Sequence, residues 1–141
     1  MNNEYSIESA NDPHQVTQLL EDRIYEYNSA ETHIDDGRLF SKIIRDRDKD
    51  IIAGIAGWTW AGICEITQLW VDGKIRGRGI GKILLEAAEL EARSKGCRAI
   101  LVRSYSFQAP HFYEKHGYRT EHIINGFPEG HRYYILTKQI S

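Results

Sequence analysis

The sequence predicts an α+β fold: a mixed, mostly antiparallel sheet of about six or seven strands around one βαβ unit, flanked by helices. Three observations carry this expectation. Apolar residues switch between alternation and helical spacing in the order helix, strand, strand, strand, helix, strand, helix, strand, strand. Short turns join the first three strands, which must then run antiparallel. A long helix joins the third to the fourth, which must then run parallel through a right-handed crossover. The third observation is composition. With 41% hydrophobic and 27% charged residues over 141 positions, and no linker, repeat or low-complexity tract, residues 1–141 read as one domain with one core.

Taken in order, Val16, Leu19, Leu20, Ile24 and Tyr27 follow helical spacing from Pro13 to Tyr27, behind an Asp12 N-cap and a proline at the first helical position. Glu31 to Gly37 predicts a polar loop or short helical turn. Arg38 to Arg45 predicts a strand, followed by the charged turn DRDKD. Ile51 to Trp60 and Ile63 to Val71 predict two long strands joined by a tight hairpin at Ala61-Gly62. Gly79 to Lys95 predicts an amphipathic helix with Ile80, Ile83, Leu84, Ala87 and Ala88 on its apolar face. Lys82/Glu86 and Glu89/Arg93 form i,i+4 pairs on the other face, and Gly96 is the stop. Cys97 to Arg103 follows as a buried strand, and Ala109 to His116 as a short helix between Pro110 and Gly117. Tyr118 to Ile124 and Arg132 to Gln139 are two strands around the turn NGFPEGH.

Several function classes fall away on composition. A formal charge of -2 supplies no basic field for nucleic acid or an anionic membrane. The longest apolar-leaning run, IIAGIAGWTWAGI, is broken by glycines and too short to span a bilayer. Cys64 and Cys97 lie far apart in apolar surroundings and read as reduced, buried thiols. The opening MNNEYSIESANDPH has no basic and apolar regions of the signal-peptide kind, so a cytoplasmic chain is expected. His111 and His116, five apart, diverge around a helix, and no Cys-x-x-Cys exists, so no metal is expected.

The segment RGRGIGK, Arg76 to Lys82, precedes the central helix. Glycines that free a backbone beside a helix N-terminus suit an anion. A Walker A loop needs a glycine where Arg76 stands and a Ser or Thr where Ile83 stands. A dinucleotide fingerprint needs G-x-G-x-x-G and a later carboxylate, whereas the spacing here is G-x-G-x-G and Cys97 to Val102 carries none. Two readings remain on these residues alone: an amide cradle for a pyrophosphate-like anion, or a tight turn with solvated arginines.

Together, V-x-x-x-x-R-G-x-G-x-G from Val71 and A-x-x-F-Y-E-K-x-G-Y from Ala109 resemble the GNAT superfamily of acyl-CoA-dependent N-acetyltransferases. The likeness covers roughly Ile51 to Thr137, and the element order of the whole chain agrees with that fold. It implies acetyl-CoA as co-substrate and an amine acceptor. The amides of Arg76, Gly77, Arg78, Gly79, Ile80, Gly81 and Lys82 would cradle the pyrophosphate. Backbone groups of Leu69, Trp70 and Val71 would pair with the pantetheine arm where two parallel strands splay apart. Ser106 and Ala109 would complete the cofactor site, Ser106 standing where the family often has asparagine. Gly73 stands where the family often has proline. Dimers are common among relatives, so a homodimer is a further implied partner.

Acyl transfer to an amine requires a neutral amine, a stabilised oxyanion and a protonated leaving thiolate. The family motif places Tyr113 at the thioester sulfur as the acid; the alternative is a core aromatic. A phenol near pKa 10 facing a thiol near 8.5 costs at most about 2 kcal/mol. Glu65, six residues before Val71, matches the position at which some relatives carry a base; the alternative is a solvated or ion-paired carboxylate. Tyr118 opens a strand and is expected to pack. Trp58, Trp60 and Trp70 either line an acceptor pocket or pack. The acidic turn Glu31 to Asp36 and the segment Phe127 to His131 are either solvated surface, the simpler reading, or rims of that pocket. The expected reaction is acetyl transfer from acetyl-CoA to a primary amine of a small molecule by direct attack. Its rivals are acetylation of peptides or proteins and acyl-CoA binding without turnover.

Overall fold

The computed structural model describes residues 4–141. They fall into two compact units, one ending at Asp35 and one spanning Asp36–Ser141. The first unit is organised by helix α1, Pro13–Thr32. Asp12 caps it as expected, its carboxylate accepting from the Gln15 amide at 3.3 Å, with Pro13 at the first position. The helix runs through Glu31 and Thr32, the first two residues of the expected polar loop, and ends at His33 in the left-handed conformation. None of its residues is buried, including the expected apolar stripe.

The second unit is a six-stranded mixed sheet with two helices. Its strands are β1 (Arg38–Arg45), β2 (Ile51–Trp60), β3 (Ile63–Val71), β4 (Ala99–Tyr105), β5 (Arg119–Asn125) and β6 (Arg132–Gln139), in spatial order β1-β2-β3-β4-β6-β5. Only β3 and β4 pair in parallel. Helix α2, Ile80–Ser94, connects them, and α3, Pro110–Lys115, connects β4 to β5. The β2–β3 hairpin turns at Ala61 and Gly62, both at positive φ (52° and 78°), which matches the twist of the flanking strands. The Asp36 carboxylate accepts from the Ala61 amide at 2.9 Å, so this acidic residue serves the turn.

The core lies between one sheet face and α2 and α3. Ala53, Ile55, Cys64, Ile66, Ile100, Val102 and Leu136 meet Leu84, Leu85, Ala88 and Ala92 of α2 and Tyr113 of α3. The apolar stripe of α2 is rotated from expectation: Ile83 is 57% exposed and Leu85 is buried instead. Ala88 and Ala92 are fully buried, and their small side chains let the helix lie close on the sheet along that line. Lys82 and Glu86 form the expected pair, at 4.0 Å. Glu89 and Arg93 do not. Glu89 is buried, while Arg93 Nε donates to the Ile140 carbonyl at 3.3 Å. Cys64 and Cys97 are free and buried. Among the described residues, no helix is long and apolar enough to cross a membrane.

Candidate active site

Pairing between β3 and β4 ends at Ile66↔Val102, yet β3 continues to Val71 and β4 to Tyr105. The two strands diverge in the middle of the sheet, leaving the β4-facing edge of β3 open beyond Ile66. The cause is local. Opposite β3, the register slips between Ala56 and Gly57, so Thr67 has no register partner and forms a bulge. Its hydroxyl lies 3.2 Å from the Ala56 carbonyl and 2.6 Å from Gln68 Oε1. The extra residue returns Leu69 and Val71 to the core-facing side already used by Cys64 and Ile66. An open edge inside a sheet is normally a liability, and here it frames a cleft of about 960 Å³.

Thr67 to Val71 form one wall of the cleft and Val102, Arg103 and Ser104 the other, with the loop after β3 and helix α3 supplying the rest. In that loop Gly77 and Gly79 have φ of 80° and 75°, which L side chains rarely adopt. Gly79 caps α2 without any side-chain bond, and the first helical bond runs from the Ile83 amide to the Gly79 carbonyl at 3.2 Å. The amides of Ile80, Gly81 and Lys82 therefore have no acceptor within the helix and sit at its positive end. Arg76, Lys82 and Lys115 bring cationic groups to the same cleft. Arg76 also anchors the loop: its Nε donates to the Val71 carbonyl at 3.0 Å.

Of the residues singled out from sequence, Leu69, Trp70, Val71, Arg76, Gly77, Gly79, Ile80, Gly81, Lys82, Ala109 and Tyr113 line this cleft. Arg78, Ser106 and Glu65 are not among its lining residues. Ser106 is locked to β6: its amide donates to the Arg132 carbonyl at 2.7 Å, and its hydroxyl accepts from the Arg132 amide at 3.0 Å. Ser104 lines the cleft instead, buried, with its hydroxyl accepting from the Ala109 amide at 3.2 Å. That serine lay beyond the expected end of the strand at Arg103, so its place on the wall was not legible.

Tyr113 is 5% exposed and meets Phe112 and Tyr118 edge-on, at 5.3 and 5.6 Å between centroids. Burial pushes its phenol up to about 12, so the hydroxyl keeps its proton throughout the neutral range. Tyr118 is a core residue whose O–H donates to Glu89 Oε2 at 2.8 Å. Burial first, and the Glu89 charge second, push its phenol well above its ordinary value. Glu89 Oε2 also accepts from Lys138 Nζ at 3.0 Å. Glu65 projects from the face opposite Cys64 and Ile66, across from Trp58 on β2, and stands 3.7 Å from the Arg103 guanidinium. Arg103 lines the cleft, so the carboxylate stands one side chain back from it.

The profile of the acetyltransferase (GNAT) family matches residues 3–118. Blasticidin-S acetyltransferase of Streptomyces morookaense is 36% identical over 95 residues, which cover 64% of this chain and 68% of that protein. An acetyltransferase of Agrobacterium fabrum is 31% identical over 104 residues, 74% of this chain and 76% of its own. A solved acetyltransferase from Bacillus cereus aligns with a TM-score of 0.78 at 31% identity, over 94% of this chain and 97% of that one.

Proposed function

The chain belongs to the GNAT acetyltransferase family, and from that membership we propose that it moves an acetyl group from acetyl-CoA to a primary amine of a small molecule. One observation carries the reading. The divergence of β3 from β4, the open amides of the glycine loop and the Tyr113 phenol all meet in a single cleft. These residues fit acetyl-CoA. Amides at the start of α2, with Arg76, Lys82 and Lys115 beside them, suit a pyrophosphate. The open edge of β3 from Leu69 to Val71 suits an extended amide-bearing arm. The family match begins at residue 3 and runs into the second compact unit, which supports treating 1–141 as one acetyltransferase domain.

Direct attack is favoured over a cysteine relay. Cys64 and Cys97 are buried, and burial pushes the Cys64 thiol up to about 12, which leaves it a poor nucleophile. Tyr113 acts on the departing sulfur as a hydrogen-bond donor. Surrendering a proton held at about 12 to a thiolate near 8.5 costs roughly 5 kcal/mol, more than the unburied phenol suggests. Donating a hydrogen bond to the developing charge needs no such transfer; as the C–S bond breaks, the thiolate takes the proton that the nitrogen sheds on becoming an amide. Glu65, held beside Arg103, takes the proton of the incoming ammonium through water, since it does not itself line the cleft. The relative named for blasticidin S favours a small-molecule acceptor over a peptide.

The test is release of free thiol from acetyl-CoA across a panel of amines, polyamines, aminoglycosides and peptides. Small amines should support release, and Tyr113→Phe should bind acetyl-CoA with unchanged Kd while kcat falls about 100-fold. Turnover on peptides alone would move the reading to protein acetylation. Acetyl-CoA binding with no release on any acceptor would make the chain a binding module.

A further inference from the structure

The cleft shares Phe107 with a second, shallower cavity of about 510 Å³, lined by Tyr105, Phe107, Gly126, Phe127 and Pro128. Its walls are aromatic. Tyr105 and Phe107 stack within 2° of parallel at 5.3 Å, and Tyr105 meets Tyr133 at 4.4 Å. Phe127 lies against Tyr133 at 6.5 Å, and His131 meets Phe107 edge-on at 5.0 Å. The rings come from the end of β4 and from the β5–β6 turn. Ser106 and Arg132 join these two regions by a reciprocal pair of bonds at 2.7 and 3.0 Å, so the arrangement is held in place.

Phe107 and Phe127 are 58% and 54% exposed. Each leaves phenyl surface in water that a flat ligand would cover, and neither belongs to the core. A cation could also sit on such rings, but the charges nearby oppose it. Arg103, on the same face of β4 as Tyr105, lines the adjoining cleft, and the turn carries one exposed carboxylate, Glu129. Resting on the acetyl-transfer reading, we infer that these rings seat a flat unsaturated ring carried by the acceptor. The substrate class is then an aryl- or heteroaryl-bearing primary amine, and aliphatic polyamines are excluded. Phe107 lines both cavities, so a ring held on the shelf lies next to the cleft that Tyr113 lines, and the amine is carried into that cleft on an arm from the ring.

The experiment is calorimetric titration of the full chain, saturated with coenzyme A, with tryptamine, hexylamine and cadaverine. Tryptamine should bind about fivefold or more tighter than hexylamine, the gain of one aromatic stack. Phe127→Ala should erase the difference, and Phe127→Tyr should keep it. Phe127 is exposed, so its truncation opens no core cavity, and circular dichroism checks the fold. Saturation-transfer NMR on the unmodified chain should label the indole protons more strongly than the ethylamine methylenes. Equal affinity for tryptamine and hexylamine, no tryptamine binding, a preference for cadaverine, or a preference surviving in folded Phe127→Ala would each overturn the inference. Tryptamine binding through Phe127 without thiol release from acetyl-CoA would leave the ring site standing and defeat only the acetyl-transfer reading.

Discussion

No side chain fits on Gly57, because the carbonyl oxygen of Glu65 on the neighbouring strand fills the space a Cβ would need, with the Phe40 ring on another side. The contact lies beside the Thr67 bulge, the irregularity that accompanies the parting of β3 and β4. Gly57→Ala should therefore push β2 from β3 and disturb the bulge, costing about 2 kcal/mol as an overpacked site. Urea unfolding should show the loss, and acetyl-CoA affinity should fall with it. Gly73→Ala, with open space around its Cβ position, is the control and should change neither.

The glycine loop makes a separate prediction about which groups hold the anion. Arg78 lies outside the lining of the cleft, whereas Arg76 lines it and ties the loop to Val71. Arg78→Ala should leave the Kd for acetyl-CoA within about twofold, while Arg76→Ala should weaken it about tenfold by loosening the loop. Gly79→Val forces a β-branched residue to a φ of 75° and should abolish binding. Gly81→Leu should do the same by another route, since its Cβ would already stand 3.4 Å from the Phe112 ring. Calorimetry on the four variants separates amide from side-chain binding; a larger loss from Arg78→Ala than from Gly79→Val would sink the amide account.

Alkaline pH should unfold the chain through its buried acids. Burial raises Cys64 to about 12 from 9.0 and Tyr113 to about 12 from 10.0, and it raises Tyr118 further with the help of the Glu89 charge. These folded values lie above the unfolded ones. The stability they carry is intact below about pH 9 and is lost as pH rises toward 12, because the unfolded chain releases protons first. Each group contributes a slope of about 1.4 kcal/mol per pH unit inside its window. Urea midpoints measured from about pH 8 to about pH 11 should fall steadily, and Tyr113→Phe should fall less steeply above pH 10.

Much of this site was legible because backbone demands leave marks in sequence. Gly77 and Gly79 announce a conformation that other residues resist, and Pro110 and Gly117 bracket α3. What stayed hidden depends on packing between distant segments. Nothing around Thr67 marks a bulge, since the slip arises from pairing with Ala56 and Gly57 on another strand. Ser104 carries no mark of its place, because β4 runs two residues beyond Arg103, to Tyr105, through its pairing with Tyr133 and Tyr134 of β6. Ile83 and Leu85 are equally apolar, and only contact with the sheet selects the second. Glu89 was expected on the outer face with Arg93. Its partners Tyr118 and Lys138 lie far along the chain, where helical spacing cannot find them.

That buried carboxylate supports the final prediction. Glu89 is 7% exposed, accepts from Tyr118 and Lys138, and Tyr118 in turn braces Tyr113 edge-on. A charge taken out of water needs both donors, so removing either leaves it partly unpaired. Tyr118→Phe keeps the ring and removes one donor, and should cost about 2 kcal/mol; Lys138→Met removes the countercharge and should cost about 3 kcal/mol. Adding Glu89→Gln to the Tyr118→Phe/Lys138→Met double variant should restore part of its lost stability, because the neutral amide no longer needs a cation. Tyr118→Phe should also leave acetyl-CoA affinity unchanged while lowering kcat only a few-fold, since the Tyr113 hydroxyl stays in place and only one prop of its ring is altered. If Glu89→Gln gave no relief in the double variant, the buried charge would not be what Tyr118 and Lys138 are there to satisfy.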